Sequence, residues 1–430
     1  MKEVFYEAWQ ERVFWDTLPN GLTVAVVPRP GFRKKLCYLV TDYGAIHQSF
    51  LKDGKQIDTP AGVAHYLEHK LFDSPAGDVS QSFAAMGASP NAFTGYDLTA
   101  YYFSGTDRFE ENVKLLLDFV YTPWFTEESV AKEQGIIGQE IDMSADNPDS
   151  RIFENLVKAM YRDHPIRVPI LGDRETISRI TPQVLSLCHS TFYTPANMML
   201  CAVGDVDPRQ VRDLAWEMTK DLPNQKPQKL PLPQEEPVCP QPLVEEAMEV
   251  ACPMFQLGFK CEPAEDGEAA VRQEIVGDLA AEALFGESSP LYLKLYEEGL
   301  IDSSFGGGFE TVDGMAMLTA YGDSEDPQAV RAAILGAAKS LTLSQEDFLR
   351  MKRSALGRRI RELDSFDSTC FRLCAYRFSG FDYFEYPRVY AQVTRQEVMD
   401  FLTRAVTERR CCMSVIRPKD NQSGGNENVI

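Results

Sequence analysis

The stretch His65-Tyr66-Leu67-Glu68-His69 constrains this chain more than any other. The chain has 5 histidines, and two of them fall here, four positions apart with a glutamate between them. The apolar residues on either side predict one short helix, and residues four apart lie on the same face of a helix. Both imidazole rings can therefore bind one metal ion, and Glu68 lies on nearly the same face.

This H-x-x-E-H pattern is typical of a zinc site. Zn²⁺ takes nitrogen and oxygen ligands in tetrahedral geometry, and a catalytic site keeps one position for water. Such a water ionises near neutral pH, and a nearby carboxylate can accept its proton. We therefore predict His65 and His69 as metal ligands and Glu68 as the general base. The alternative is that the two histidines only pack against the core or face solvent.

A catalytic zinc usually needs a third protein ligand, and a second predicted helix over Thr126–Ser144 offers one. Glu133 and Glu140 are seven positions apart, so both fall on the apolar face of this helix. A carboxylate on a buried face needs a partner, which is either a metal or an arginine. We predict Glu140 as the third ligand, with a structural salt bridge as the alternative. Glu133 is then a carboxylate that orients a histidine or Glu68.

These motifs resemble those of the pitrilysin/insulinase family of zinc peptidases. That family carries H-x-x-E-H and, further along the chain, two glutamates one heptad apart, which here belong to Glu133-Gln134-Gly135-Ile136-Ile137-Gly138-Gln139-Glu140. Its Asn-Ala-x-Thr strand is also present, as Asn91-Ala92-Phe93-Thr94. The resemblance runs from about Pro19 to the end of the chain. The sequence around the motifs resembles that of a short bacterial subfamily with YmfH-like members.

The resemblance implies a zinc-dependent endopeptidase that hydrolyses short or unfolded peptides, with Glu140 as the third ligand. It implies an α+β fold made of two similar α/β domains, the mitochondrial-processing-peptidase-like metallohydrolase fold. It also implies that an extended peptide binds by strand addition to the edge of one strand, although an ordinary edge strand is the alternative. The implied substrate-binding residues are Asn91, Ala92, Phe93 and Thr94.

A Pro- and Gln-rich stretch over 222–243 divides the chain into nearly equal halves. Its composition predicts an extended linker without regular structure. We predict a zinc-binding domain over 1–221, a second domain of the same fold over 244–418, and a disordered tail over 419–430.

The order of predicted elements in the second half repeats that of the first. The second half has strands at 244–261, a long helix at 266–285, strands at 304–321, further helices, and a final strand at 411–416. All five histidines lie in the first half, so the second half cannot hold another site of this kind.

The composition of the chain argues against some classes of binding partner. The net charge of −21 argues against binding to nucleic acid or to an anionic membrane surface. The chain has no apolar run of about 18 residues, so no membrane span is predicted. No apolar segment follows Met1, and the 10 cysteines form no C-x-x-C pair, so we expect reduced thiols and a cytoplasmic protein.

One segment of the second half departs from the family pattern. Self-sufficient members and inactive partner subunits carry an arginine and a tyrosine, seven apart, that bind the substrate carbonyl. The segment here is Leu295-Tyr296-Glu297-Glu298-Gly299-Leu300-Ile301-Asp302-Ser303, with Tyr296 at the arginine position and Asp302 or Ser303 at the tyrosine position. Charge developing on the substrate oxygen would lack its donors. We therefore expect a heterodimer with a related subunit that lacks H-x-x-E-H and supplies the arginine and tyrosine, or else a homodimer.

Two other functions compete with the peptidase. The first is a catalytically silent structural or chaperone-like subunit of the same family, which absence of zinc would favour. The second is a metal-binding regulator or a small-molecule hydrolase, which a dedicated small pocket would favour. The intact set of predicted ligands favours the peptidase, because the chemistry of a site decides function more than the fold does.

Overall fold

In the computed structural model, which describes residues 1–419, the first half of the chain is built around a seven-stranded sheet. The tail predicted over 419–430 lies outside the described residues, except for Lys419. The strands are β1 (Lys2–Tyr6), β2 (Glu11–Thr17), β3 (Thr23–Pro28), β4 (Lys35–Thr41), β5 (Ser49–Lys52), β6 (Lys55–Asp58), β7 (Asp73–Ser74), β8 (Gly77–Asp78), β9 (Ala88–Thr94), β10 (Thr99–Gly105), β11 (Met198–Gly204) and β12 (Gln228–Lys229). The helices are α1 (Val63–Leu71), α2 (Val79–Ala85), α3 (Phe109–Tyr121), α4 (Glu127–Ala145), α5 (Pro148–Met160), α6 (Arg174–Ile177), α7 (Pro182–Phe192) and α8 (Pro208–Thr219).

The strand order of this sheet is β1-β2-β3-β11-β4-β10-β9. β11 runs parallel to β3, and every other neighbouring pair is antiparallel. The central strands β3, β4 and β11 are apolar between their ends because both faces of the sheet are covered, and every residue of β11 is buried. β9 lies at the edge, so one side of its backbone is free for pairing.

The second half repeats this arrangement around a five-stranded sheet of order β13-β17-β14-β16-β15. It corresponds strand for strand to β3-β11-β4-β10-β9, with the first pair parallel and the others antiparallel. The predicted fold of two similar α/β units is confirmed. Its strands are β13 (Leu243–Met248), β14 (Met254–Cys261), β15 (Gly306–Val312), β16 (Met315–Asp323) and β17 (Cys411–Pro418). Its helices are α9 (Glu268–Phe285), α10 (Pro290–Glu297), α11 (Pro327–Ser340), α12 (Gln345–Glu362), α13 (Phe366–Phe378), α14 (Tyr386–Gln392) and α15 (Arg395–Ala405).

Each sheet is covered by a helix from the other half. α13 packs on β4 and β11 of the first sheet, and α5 packs on β14 and β17 of the second. Each of these two helices is the third helix after the edge hairpin of its own half. The two halves therefore exchange equivalent helices. The approach is close at Gly258 in β14, where a Cβ atom would lie 2.3 Å from the sulfur of Met160. The two halves therefore share one buried apolar cluster.

The sequence predicted that the segment over 222–243 lacks regular structure, but the structure contains strand residues in it. Gln228 and Lys229 form β12, which pairs with β5, and Leu243 already belongs to β13. β5 offers a free backbone edge, and these two residues lie between Pro227 and Pro231, which have no N–H to donate. The prediction is therefore wrong at both places. None of the helices within residues 1–419 is long and apolar enough to cross a membrane.

Candidate metal centre

The helix that carries the H-x-x-E-H motif, α1, is set into the core of the first half. Gly62 precedes it with a φ of 90°, a left-handed conformation that glycine adopts at little cost. Tyr66 and Leu67 are fully buried. The hydroxyl of Tyr66 donates a hydrogen bond to the backbone carbonyl of Val130 in α4. Tyr66, which lies inside the motif, therefore holds α1 against α4, the second helix of the site.

The three predicted ligands meet where α1 faces α4. Oε2 of Glu140 lies 3.7 Å from Nε2 of His65 and 3.5 Å from Nε2 of His69. One ligand atom from each of these residues lies within 4.8 Å of the others, and within residues 1–419 this is the one group of three that could hold a metal ion. Ligand atoms about 2.1 Å from a tetrahedral zinc stand about 3.4 Å apart. The donor types and their spacing therefore fit a zinc ion.

Glu133 holds one of the two histidines. Its Oε1 lies 2.9 Å from Nδ1 of His69. A carboxylate in this position favours the tautomer with the proton on Nδ1, which leaves the lone pair of Nε2 directed toward Glu140. The sequence left open whether Glu133 would contact a histidine or Glu68, and in the structure it contacts His69.

Glu68 projects from α1 into the same space, and its carboxylate is held from β9. The hydroxyl of Thr94 donates to Oε2 of Glu68 at 2.6 Å. Burial raises the pKa of Glu68 above its ordinary value, although the Thr94 hydrogen bond and the charge of His69 act in the opposite direction. The charge of Glu140 adds to the rise. A carboxylate whose pKa is raised toward neutrality is a more effective general base.

The two histidines differ in their affinity for a proton. Burial, and then the charge of His69, lowers the pKa of His65 to about 3. Burial also acts to lower the pKa of His69, but the hydrogen bond and charge of Glu133, with the charges of Glu68 and Glu140, raise that pKa above its ordinary value. On acidification His69 therefore gains its second proton well before His65.

The four predicted substrate-binding residues all lie on β9, but their side chains face two directions. Ala92 and Thr94 face α1, whereas Asn91 and Phe93 face the other way, because side chains alternate along a strand. The ring of Phe93 packs against Phe371 of α13, with ring centroids 5.8 Å apart. The backbone N–H of Ala92 donates to Oδ1 of Asn91 at 2.9 Å. This N–H therefore lies at the free edge of β9.

The remaining histidines take no part in the site. His47 accepts a hydrogen bond from the backbone N–H of Gly44, and the rings of His164 and His189 contact backbone carbonyls. Two contacts that hold the site were not predicted, namely those of the Tyr66 and Thr94 hydroxyls. For Thr94 a signal existed, because alternation along the Asn-Ala-x-Thr strand places its side chain on the same face as that of Ala92.

The second half fills the equivalent position with an ion pair. α9 packs against the edge strand β15 as α1 packs against β9. Glu274 of α9 lies 2.6 Å from the guanidinium of Arg359 in α12, and it accepts a hydrogen bond from the hydroxyl of Tyr376. Arg359 is buried. These residues satisfy one another's charges and hydrogen bonds, and the candidate metal centre belongs to the first half.

Comparison with known families finds two matching regions in the chain. Residues 51–174 match the family described as insulinase (peptidase family M16), and residues 179–355 match the domain described as the peptidase M16 inactive domain. The chain belongs to the M16 insulinase family. The resemblance drawn from the motifs is thereby confirmed, and His65, His69 and Glu140 lie within the residues that match the insulinase description.

Individual M16 relatives extend the likeness over nearly the whole chain. The uncharacterized zinc protease YmfH of Bacillus subtilis (strain 168) is 36% identical over 431 residues, which cover 97% of this chain and 100% of that protein. The crystal structure of an M16-like peptidase from Alicyclobacillus acidocaldarius superposes with a TM-score of 0.91 at 31% identity, covering 95% of this chain and 99% of that one. A protease from Helicobacter pylori shares the fold, with a TM-score of 0.81 at 18% identity over 95% of this chain and 100% of its own.

Proposed function

We propose that this M16 protein is a zinc-dependent endopeptidase subunit in which His65, His69 and Glu140 hold the metal. The observation that carries the proposal is the meeting of these three donors beside the buried carboxylate of Glu68. Relatives that bear the name zinc protease support the same chemistry here. When bound at this site, Zn²⁺ supplies the Lewis acidity that polarises a carbonyl group and makes water more acidic.

Glu68 acts as the general base of the proposed reaction. Thr94 binds Oε2 of Glu68, so Oε1 is free to take a proton from the water that attacks the peptide carbonyl. The same carboxyl group then passes this proton to the amine that leaves. The raised pKa of Glu68 suits both steps, because the group must accept the proton and then release it at one pH.

The proposed substrate is a short or unfolded peptide, held in an extended conformation along β9. β9 is the last strand of its sheet, and the N–H of Ala92 lies on its open side. Backbone pairing of this kind gives affinity that depends little on the side chains of the peptide. The bound peptide would replace the side chain of Asn91 as the partner of that N–H.

We further propose that full activity needs a second, related subunit. In the segment where family members carry an arginine and a tyrosine, Tyr296 is 54% exposed and stacks on Tyr292 of α10. Asp302 accepts a hydrogen bond from the backbone of Ser304. Neither side chain can donate the charged hydrogen bond of an arginine to the substrate carbonyl, so a partner lacking H-x-x-E-H would supply it.

The peptidase is tested with the wild type, Glu68→Gln, and Glu110→Gln, an exposed glutamate of α3 that serves as the matched control. Zinc is measured by elemental analysis, and hydrolysis of a mixed peptide library is followed by mass spectrometry with and without the proposed second subunit. We expect about one zinc per chain in all three proteins and a loss of hydrolysis in Glu68→Gln alone. Absence of zinc in the wild type would overturn the proposal in favour of a catalytically silent subunit. Hydrolysis by Glu68→Gln at the wild-type rate would overturn the proposed reaction, because Glu68 would then not be its general base.

The partner is tested by purifying this chain with and without a co-expressed M16 chain that carries the arginine and tyrosine. We expect a complex of the two chains whose hydrolysis is faster than that of this chain alone by a factor of about 100 or more. Equal rates with and without the second chain would exclude the heterodimer and leave the single chain or a homodimer as the active form.

A further inference from the structure

Thr94 connects the strand proposed to bind the peptide with the proposed base. Its hydroxyl donates to Oε2 of Glu68 at 2.6 Å. Its backbone belongs to β9, where it is the register partner of Thr99 on β10. Because Thr94 faces α1, its side chain is directed away from the face of the sheet that carries Asn91 and Phe93. The Thr94 hydroxyl therefore binds Glu68 and is not directed to the other face of the sheet.

This contact is the one hydrogen bond that the Glu68 carboxylate makes within residues 1–419. A glutamate side chain has three rotatable bonds, and fixing it in one conformation costs conformational entropy. Residues that act on a reacting atom need their orientation held by neighbouring hydrogen bonds and packing. With Oε2 bound to a strand of the sheet, Oε1 is left in a defined direction.

We infer that Thr94 is the positioning residue of Glu68, an inference that rests on the proposed peptidase function. Thr94 fixes the orientation of the Glu68 carboxylate relative to β9. The base therefore keeps a constant position relative to a peptide that is bound along this strand. The side chain of Thr94 then contributes to the rate of the chemical step and little to the affinity for the peptide, which distinguishes it from Asn91 and Ala92 at the open edge.

The test compares Thr94→Val, which keeps the β-branched shape and removes the hydroxyl, with Thr94→Ser, which keeps the hydroxyl. Thr99→Val is the matched control, because it removes a buried threonine hydroxyl of β10 that donates to the carbonyl of Tyr43, a residue between β4 and β5. In Thr94→Val we expect kcat to fall by about tenfold or more, KM to stay within about twofold, and zinc content to be unchanged. Thr94→Ser and Thr99→Val should keep most of kcat.

An equal loss of kcat in Thr94→Val and Thr99→Val would show a general effect on the fold and would overturn the inference. So would an unchanged kcat in Thr94→Val, or a loss confined to KM.

Crystal structures of the zinc-loaded wild type and Thr94→Val provide a readout that does not depend on activity. We expect one Glu68 conformation in the wild type, and a turned or split Glu68 side chain in Thr94→Val with both histidines unmoved. An unmoved Glu68 in Thr94→Val would overturn the inference. A wild type without hydrolysis even in the presence of the second subunit would instead count against the proposed function, and the position of Glu68 would still decide the role of Thr94.

Discussion

Oε1 of Glu133 lies 2.9 Å from Nδ1 of His69, and this contact fixes which nitrogen of that ring faces Glu140. His65 has no comparable support, because its Nδ1 is buried without a hydrogen-bond partner within residues 1–419. The two histidines of the motif are therefore not equivalent. Glu133 holds His69 alone, and the sequence places it one heptad before Glu140 on the same face of α4.

The first prediction is that Glu133→Gln weakens zinc binding by a factor of about 10 to 100, because a carboxylate that accepts the Nδ1 proton makes the histidine a better ligand. Zinc affinity is measured by competition with a chromogenic chelator. Glu128→Gln is the matched control, since Glu128 is an exposed glutamate in the first turn of the same helix. Equal affinities in the two variants would show that Glu133 has no part in metal binding.

The second prediction concerns pH. The pKa of His69 is raised, chiefly because Glu133 outweighs the effect of burial, whereas burial holds the pKa of His65 at about 3. A histidine must lose its proton from the ligating nitrogen before it binds a metal. Zinc affinity should therefore rise with pH up to the pKa of His69 and then level off.

Calorimetry of zinc binding in two buffers with different heats of ionisation measures the protons released. We expect release from the wild type around neutral pH and less release from Glu133→Gln, whose His69 loses the partner that raises its pKa. Zinc binding with no proton release on the acid side of neutrality would contradict the assignment of His69.

Helices α1 and α4 show which parts of the site can be predicted from the sequence. Both helices, and the shared face of His65 and His69, were predicted because helical spacing is local and is visible in the sequence. The choice of Glu140 as the third ligand rested on the family resemblance, because helical spacing does not show that α4 lies against α1. The contact between Thr94 and Glu68 was not predicted, since it depends on how β9 lies against α1. The exchange of α5 and α13 between the two sheets was also missed, because the packing of a helix across a domain boundary leaves no periodic signal of its own.

The third prediction tests how α1 begins. Gly62 has a φ of 90°, and a Cβ atom there would lie 2.5 Å from the carbonyl oxygen of Leu171. Gly62→Ala should therefore lower the free energy of unfolding by about 2 kcal/mol or more and weaken zinc binding, since the start of the motif helix must shift. Denaturant unfolding and the chelator competition measure the two effects.

Gly135 provides the opposite case within the second helix of the site. It lies inside α4, and a Cβ atom there would meet nothing within 4 Å. Gly135→Ala should raise the free energy of unfolding by about 1 kcal/mol, because alanine loses less conformational freedom in a helix. A Gly62→Ala variant as stable as the wild type would contradict the described start of α1.

The fourth prediction concerns Glu235, which fastens the 222–243 segment to both halves. Its carboxylate accepts hydrogen bonds from the backbone N–H groups of Arg162, Asp163 and His164. It also lies 2.6 Å from Nζ of Lys260, a lysine that is 3% exposed. Burial acts to raise the pKa of Glu235, but the bonds to Lys260 and to the backbone outweigh it and lower that pKa from 4.5 to about 2.

A carboxylate whose pKa is lowered by folding stabilises the protein fully above its unfolded pKa, and the contribution is lost as the pH falls toward the folded value. Near pH 7, Glu235→Gln should lower the free energy of unfolding by about 3 kcal/mol, because it leaves the Lys260 charge buried without its partner. Glu236→Gln, at an exposed neighbouring position, should change it by less than about 0.5 kcal/mol. Denaturant unfolding from about pH 7 down to about pH 3 should show the difference between the wild type and Glu235→Gln shrinking, because Glu235 gains its proton in the unfolded chain before it does so in the folded protein. A difference that stayed constant over this range would mean that the ionised carboxylate is not what holds the segment in place.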